Sequence, residues 1–466
     1  MGKWHPLSPI LPDIIPVRMT EKCAIQGCKS EIEMAHLRIA TLEALLLSHG
    51  IAVPPPVPQP ASASVASPEP SPPVISSSAL IDFVSAALIA SGSSAANASI
   101  TARVLIEAEL RGVTSHGVNR LYLYCREIES GAVNGRGVPF IVGSSSSSSE
   151  GPCAVVDGDN ASGCVVGSHC IEVAAARCKE FGIAIVVARN TNHFGIAGYY
   201  AHALAKQGLI GLAFTNTSPI VVPTHSKRSA LGTNPIAFAA PCDHPPAAAA
   251  GSATSSLLPA PEVVFDAATS TVPFGRIEVY LRKNLTLPNE QWAVDGEGIP
   301  TRDPASVIGG DGGALPLGGA AEATGGHKGY GLALMVEMLC GVLAGSKAGP
   351  SLGQSMNPRA LEKSKGGELA QCFIAIDPSA FICASSDSGG SAEQPGYATR
   401  AAALVAQLRA LPPLNAAQSV RVPGERAARE TVRRKKEGIA IHPKIVASLR
   451  EVATRLGVSL PPPLQE

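Results

Sequence analysis

The chain has 466 residues, 45% of them apolar and only 16% charged, with 37 basic and 37 acidic side chains. That length allows two or three domains and a large buried core, and the absence of a basic excess argues against a nucleic-acid-binding protein. No apolar run reaches the roughly 18 residues a membrane-spanning helix needs.

The first 20 residues lack the apolar core and cleavage site of a secretory signal. They are poor in acid and carry Lys3 and Arg18, so an organelle-targeting reading stays open beside the cytoplasmic one. Eleven scattered cysteines, mostly in apolar stretches, read as reduced thiols in a reducing compartment. Cys23 and Cys28 have no second Cys/His pair at zinc spacing, and no metal site is expected. Ala35, Ile39, Leu42 and Leu46 mark a short amphipathic helix over 31–49, a candidate for self-association. Residues 54–73 are a Pro/Ser/Ala linker, so the body is expected to begin near Ser76.

Residues 79–112 read as helices, and a Ser run at 144–149 as a loop. Strand–helix alternation follows. Strands are predicted at 154–156, 183–188, 210–215, 236–239 and 263–266, with helices at 168–181 and 197–207 between them. The segments 244–260 and 385–396 read as surface insertions. An apolar helix is predicted at 329–343, a strand at 373–376 and a helical tail at 425–456, whose basic run Arg433–Lys436 reads as a solvated face.

No G-x-G-x-x-G, P-loop, G-x-S-x-G or H-E-x-x-H string occurs, which removes the ordinary Rossmann, hydrolase and metalloprotease readings. Two histidine segments stand out. In the first, Ser115 and His116 lie among turn formers, and Arg120 and Tyr124 fall one turn apart if the chain is helical there. An Arg so placed can fork onto a carboxylate. Taken alone, the segment reads equally as a capping serine with an exposed His and Arg. In the second, a buried strand ends, a polar turn carries His193, and a helix starts near Ala197. The carboxyl end of a strand suits a proton-transferring histidine, though a helix-capping histidine fits the same pattern. Polar islands at 215–219, 232–235 and 266–271 follow strands and suit nucleotide hydroxyls and phosphates. His327 and Lys328 in a Gly-rich helix start suit an anion.

Nine strings carry a resemblance: RGVTSHGVNRLYLY, VVDGDNASG, RNTNHFGIAGYYAHALAKQGLIG, TNTSPIVVPTHSKRSALGTNPIAFAAP, VFDAATS, WAVDGEGIPTRDP, LPLGG, GGHKGYGLALMVEML and VRVPGE. In order across about 78–458, the chain resembles the malate/L-lactate dehydrogenase family, which lacks a Rossmann fold and includes ureidoglycolate and sulfolactate dehydrogenases. The resemblance implies an α/β cofactor domain plus a domain built from both chain ends. It divides the chain into an extension (1–75), a helical substrate and dimerisation part (76–149), the NAD(P)-binding domain (150–325) and a return completing the substrate domain (326–466). It implies His193 as the proton acceptor and Ser115, His116, Arg120 and Tyr124 as the substrate site, with His116 the competing acid/base. It places NAD or NADP at Thr217, Asp266, Ala267, Ala268, Thr269, His327, Lys328 and Gly329. It further implies a homodimer acting on a small 2-hydroxy or 2-oxo acid. The family's G-K-I reads Gly275-Arg276-Ile277 here, so Arg276 takes the cofactor-side lysine's place with a different reach. The family's late G-H reads Gln371-Cys372. Two other readings stand beside this one: a cyclic imino acid reductase of the same family, and an inactive interaction protein working through its N-terminal helix.

Overall fold

A computed structural model describes residues 72–143, 151–243, 263–308, 310–352, 366, 368–381, 395–415 and 418–464. The helix expected at 31–49, the Ser run at 144–149, the insertion at 244–260 and most of the linker and of the 385–396 insertion lie outside these residues. All described residues belong to the unit Pro70–Glu466.

Both ends of that unit share one core. The strand Val74–Ile75 pairs antiparallel with Ile439–Ala440. The helices Ser77–Ala90 and Ala95–Leu110 begin where Ser76 and Ser94 accept backbone N–H groups, from Ala79 and Asn97. Their apolar faces bury Leu80, Leu88 and Leu105 against Ile439 of that strand and Leu449 of the helix Pro443–Leu456. Ile75, just ahead of Ser76, is part of this core. The tail expected as one helix is two, Glu425–Glu437 and Pro443–Leu456, broken at Gly438, whose φ of 89° suits glycine.

The second core is a seven-stranded sheet in the order Phe140–Ile141, Cys153–Asp157, Ile183–Thr191, Leu369–Ile376, Ile210–Thr215, Ile236–Ala240, Val263–Ala267. Cys153–Asp157 and Ile183–Thr191 run parallel across the helix Gly163–Phe181, and every other neighbouring pair is antiparallel. In the central strand Cys372 lies opposite Val187 on one side and Phe214 on the other. Both faces of this strand are covered, which explains its apolar run, interrupted by Gln371. Phe373 and Ala375 pack with Ala174 and Tyr200 on one face, while Ala370 and Cys372 pack with Val336 and Cys340 on the other.

The expected division at 325/326 therefore does not follow the sheet. Leu369–Ile376 comes from the return yet sits in the middle of the cofactor domain, and Val336 and Cys340 cover it. The helix predicted at 329–343 starts earlier, at Gly326, ends at Glu337, and widens into a π-turn at Met338–Val342. Among the described residues no helix is long and apolar enough to cross a membrane, and eight cysteines are free thiols.

Candidate active site

The S-H-G-V-N-R segment follows the helix Ala95–Leu110 as two short 3-10 turns, Thr114–His116 and Val118–Arg120. Glu109 fixes the bend: its Oε1 accepts from the Val118 N–H at 3.0 Å. A Cβ at Gly117 would lie 2.0 Å from that oxygen, so only glycine fits. The helix Leu121–Glu129 then carries Tyr124 inward, 5% exposed.

The N-H-F-G segment leaves the end of Ile183–Thr191. The buried Asn192 side chain donates to the Ala161 carbonyl at 2.9 Å, and the Phe194 carbonyl accepts from the Tyr200 hydroxyl at 2.5 Å. Gly195 turns the chain at φ 77°, where a Cβ would lie 2.6 Å from Val104. His193 is thereby held from both sides. Behind it, Gln371 Nε2 donates to Thr191 Oγ1 at 3.0 Å, which is what the residue at the departed G-H position does here.

These two segments meet. The Tyr124 hydroxyl lies 2.6 Å from His193 Nδ1. The His116 and His193 rings stack at 5.5 Å between centroids. Ser115 Oγ lies 2.8 Å from His116 Nδ1. Arg120 Nε donates to the Ser115 carbonyl at 2.9 Å, and its Nη2 reaches Glu278 Oε2 at 3.4 Å. Burial, with Arg120 nearby, pushes the His116 imidazole down to about 3. Burial, His116 and Arg120 hold His193 well below the usual histidine range. Both rings are therefore neutral at pH 7.

Of the residues expected to face a cofactor, Thr217, Thr269 and Gly329 are linked through Thr233 and Leu317. Thr217 Oγ1 accepts from the Thr233 N–H at 3.0 Å, and Thr269 Oγ1 donates to the Thr233 carbonyl at 3.0 Å. The Thr269 carbonyl accepts from the Leu317 N–H at 2.8 Å. Gly329 lies against Leu317 so closely that a Cβ would stand 2.2 Å from its carbonyl oxygen. Asp266 Oδ2 accepts from the Gly198 N–H at 2.7 Å, tying the strand Val263–Ala267 to the helix that follows His193. Ala267 and Ala268 are half-buried beside it. Arg276 is exposed, its guanidinium 5.1 Å above the Trp292 ring. His327 and Lys328 are exposed in the first turn of Gly326–Glu337, whose start has no side-chain cap. That start, with glycines where Cβ atoms would collide, a free cation and neighbouring threonines, fits the pyrophosphate and hydroxyls of a dinucleotide.

Sequence reading missed several acids. Glu278 reaches Arg120 from 158 positions away. Glu337, 3% exposed, accepts from Asn216 at 2.9 Å and from Asn234 at 2.8 Å. A lone acid in the run GLALMVEML was the available signal for Glu337, because a buried charge must find partners. Glu278 had none.

The family profile for malate/L-lactate dehydrogenase matches residues 75–450. The malate dehydrogenase of Pyrococcus horikoshii is 37% identical over 380 residues, covering 81% of this chain and 94% of that one. The L-sulfolactate dehydrogenase of Methanocaldococcus jannaschii is 35% identical over 364 residues, covering 78% and 92%. The crystal structure of malate dehydrogenase from Entamoeba histolytica superposes with a TM-score of 0.72 at 29% identity, covering 84% of this chain and 99% of that one.

Proposed function

The chain belongs to the malate/L-lactate dehydrogenase family, and we propose that in it His193 is the acid/base and Arg120 the carboxylate anchor of an NAD(P)-dependent 2-hydroxyacid dehydrogenase. The observation that carries this reading is the meeting of Tyr124, His193, His116 and Arg120 in one cluster, built from two segments 69 positions apart. The Arg120 guanidinium spends its Nε–H on the Ser115 carbonyl and makes a 3.4 Å contact to Glu278, which leaves its remaining N–H groups for a substrate carboxylate. His193 exchanges a proton with the oxygen on C2. His116, stacked on it and braced by Ser115, orients the substrate. When bound, the nicotinamide supplies or accepts the hydride at C2. Lys328 and the positive end of the helix Gly326–Glu337 hold the pyrophosphate, and Thr217 and Thr269 shape the wall beside it.

The substrate is a small acid of the malate, lactate or sulfolactate type. The test is a panel of these acids and their oxo forms, together with ureidoglycolate and cyclic imino acids, followed by nicotinamide absorbance with NAD and NADP separately. Turnover of imino acids but of no hydroxy acid would replace this reading by the reductase one. Failure of every member, with the cofactor bound, would point to the inactive interaction protein.

The working unit in this reading is a homodimer located in the cytoplasm. Leu334, Met335, Met338, Val342 and Leu343 form an exposed apolar stripe along Gly326–Glu337 and its continuation, with Met338 and Leu343 each 55% exposed. Such a stripe on a soluble enzyme is suited to a second copy. Met338→Asp should shift the sedimentation profile from dimer to monomer.

A further inference from the structure

Glu127 lies one helical turn beyond Tyr124 on the same face of Leu121–Glu129 and is 7% exposed. Its helix neighbours are neutralised: Glu129 meets Arg126 and Arg455. Glu127 forms no ion pair among the described residues. Instead it lines a small cavity together with Tyr124, His193, Asn192, Ser162 and Thr101. The cavity is about 10 Å³, close to the room one water needs, and Leu88, Ile128 and Val133 line it beside these polar side chains.

Among the described residues Arg120 is the cation whose charge acts on Glu127. Tyr124 stands beside it on its own helix and His193 across the cavity, and the remaining walls present only neutral groups. The helix Pro443–Leu456, packed behind, directs its Arg455 to Glu129. Burial pushes the Glu127 carboxyl up to about 8, so it holds its proton at neutral pH.

His193 presents the complementary half. Its Nδ1 faces the Tyr124 hydroxyl at 2.6 Å and the Gly195 N–H at 3.3 Å. The N–H can only donate, so Nδ1 accepts and Nε2 carries the hydrogen. Because this imidazole resists a second proton, one leaving at Nε2 must be matched by one arriving at Nδ1.

Resting on the acid/base role proposed for His193, we propose that Glu127 is the proton reservoir of the reaction, coupled to His193 through a cavity water and the Tyr124 hydroxyl. In reduction, the 2-oxo acid gains hydride at C2 and its oxygen takes the Nε2 proton. Nδ1 takes the Tyr124 hydroxyl proton, Tyr124 takes one from the water, and the water takes one from the Glu127 carboxyl, which becomes a carboxylate. His193 stays neutral throughout. After product leaves, a solvent proton enters at Nε2, the relay runs backwards, and Glu127 recovers its proton. Oxidation reverses each transfer. Glu127 touches no substrate; it acts through the relay.

The test uses the full chain with an oxo acid and reduced cofactor. Wild-type kcat should fall as pH rises through about 8, the range to which Glu127 is raised. In Glu127→Gln, kcat at pH 7 should drop by ~10-fold or more with KM within about twofold, and that alkaline limb should vanish; general acid catalysis as a whole supplies roughly 10²–10⁴. Glu127→Asp should restore part of kcat and the limb. Tyr124→Phe, which loses only a hydroxyl, should abolish the limb while Glu127 still titrates. A Glu127→Gln enzyme with wild-type kcat and pH profile would overturn the proposal, as would loss of kcat and KM together without recovery in Glu127→Asp. Infrared pH-difference spectra of the cofactor-free protein need no turnover. A buried carboxylic acid band titrating near 8 should be present in wild type and absent in Glu127→Gln, and its absence from wild type refutes the reservoir. If no oxo acid is turned over, the proposed activity fails, and the infrared titration still decides the state of Glu127.

Discussion

The proposed acid/base half of the site and its proposed cofactor-facing half are built on opposite plans. Around His193 the polar groups brace one another: Tyr124 at 2.6 Å, Ser115 on His116 at 2.8 Å, Arg120 on the Ser115 carbonyl at 2.9 Å. At the start of Gly326–Glu337, His327 and Lys328 stand exposed and no side chain caps the helix. Proton transfer depends on geometry held before the substrate arrives, since a misplacement of about 1 Å can cost ~10² in rate. Anion capture needs free N–H groups and a mobile cation that close on the ligand when it comes. One half is finished by the fold, and the other is finished by its ligand.

If that contrast is real, substitutions in the two halves should separate kcat from cofactor affinity. The largest effect is expected for His193→Ala, which should lower kcat by at least ~10² with cofactor affinity nearly unchanged. Near-normal turnover would transfer the acid/base role to His116. Arg120→Lys keeps the charge but loses the planar fork, and kcat/KM for the best acid should fall by about 2–3 kcal/mol. Unchanged efficiency would make Arg120 a brace for the Ser115 loop alone. Lys328→Ala should do the reverse of His193→Ala: cofactor binding, followed by fluorescence titration, should weaken by about 1–2 kcal/mol with kcat nearly kept. A large kcat loss there would erase the distinction.

The smallest effect concerns stability, and its sign follows from the closed half. Glu109 is pushed up to about 7 and Glu127 to about 8, both by burial. Their folded forms hold protons more tightly than the unfolded chain, so the stability they contribute is full below pH 4.5 and is lost as pH rises through 7 and 8. His116 and His193 are shifted down from 6.5, so their contribution is lost as pH falls below 6.5. Thermal melting should therefore peak on the acid side of neutrality. Raising pH from about 6.5 to 8.5 should lower Tm by on the order of a few degrees, and by less in Glu127→Gln. A Tm that rises over that interval would contradict the burial of these acids.

The closed half was the more legible in sequence, because its parts are short strings on adjacent turns. Ser115, His116, Arg120 and Tyr124 fall within ten positions, and His193 follows a strand that its apolar run announces. What could not be read is what faces them. Glu278 reaches Arg120 only because the helix Phe274–Arg282 lies against the Ser115 loop, with Gly275 admitting the approach. The open half was less legible. Thr217, Asp266 and Thr269 were expected to face a cofactor, yet Thr269 Oγ1 and Asp266 Oδ2 bond to the protein itself. Polar islands after strands look alike whether they meet a ligand or a neighbouring loop. The strands were visible from their apolar runs, but their order was not, since pairing across some 160 positions leaves no local trace.

The position of Leu369–Ile376 sets the order in which this protein can be made. On a ribosome, the edges of Ile183–Thr191 and Ile210–Thr215 emerge long before the strand that joins them. Until residue 376 leaves the exit tunnel, the nascent chain carries two half-sheets, each with an unpaired edge turned toward the missing strand. Such a topology folds slowly, after synthesis of most of the chain, because distant contacts must close before they repay the lost entropy. Arrest peptides placed after residue 360 should therefore feel little folding force, and a sharp rise should follow once the central strand is free. Chaperone dependence, if this enzyme has any, belongs to that interval.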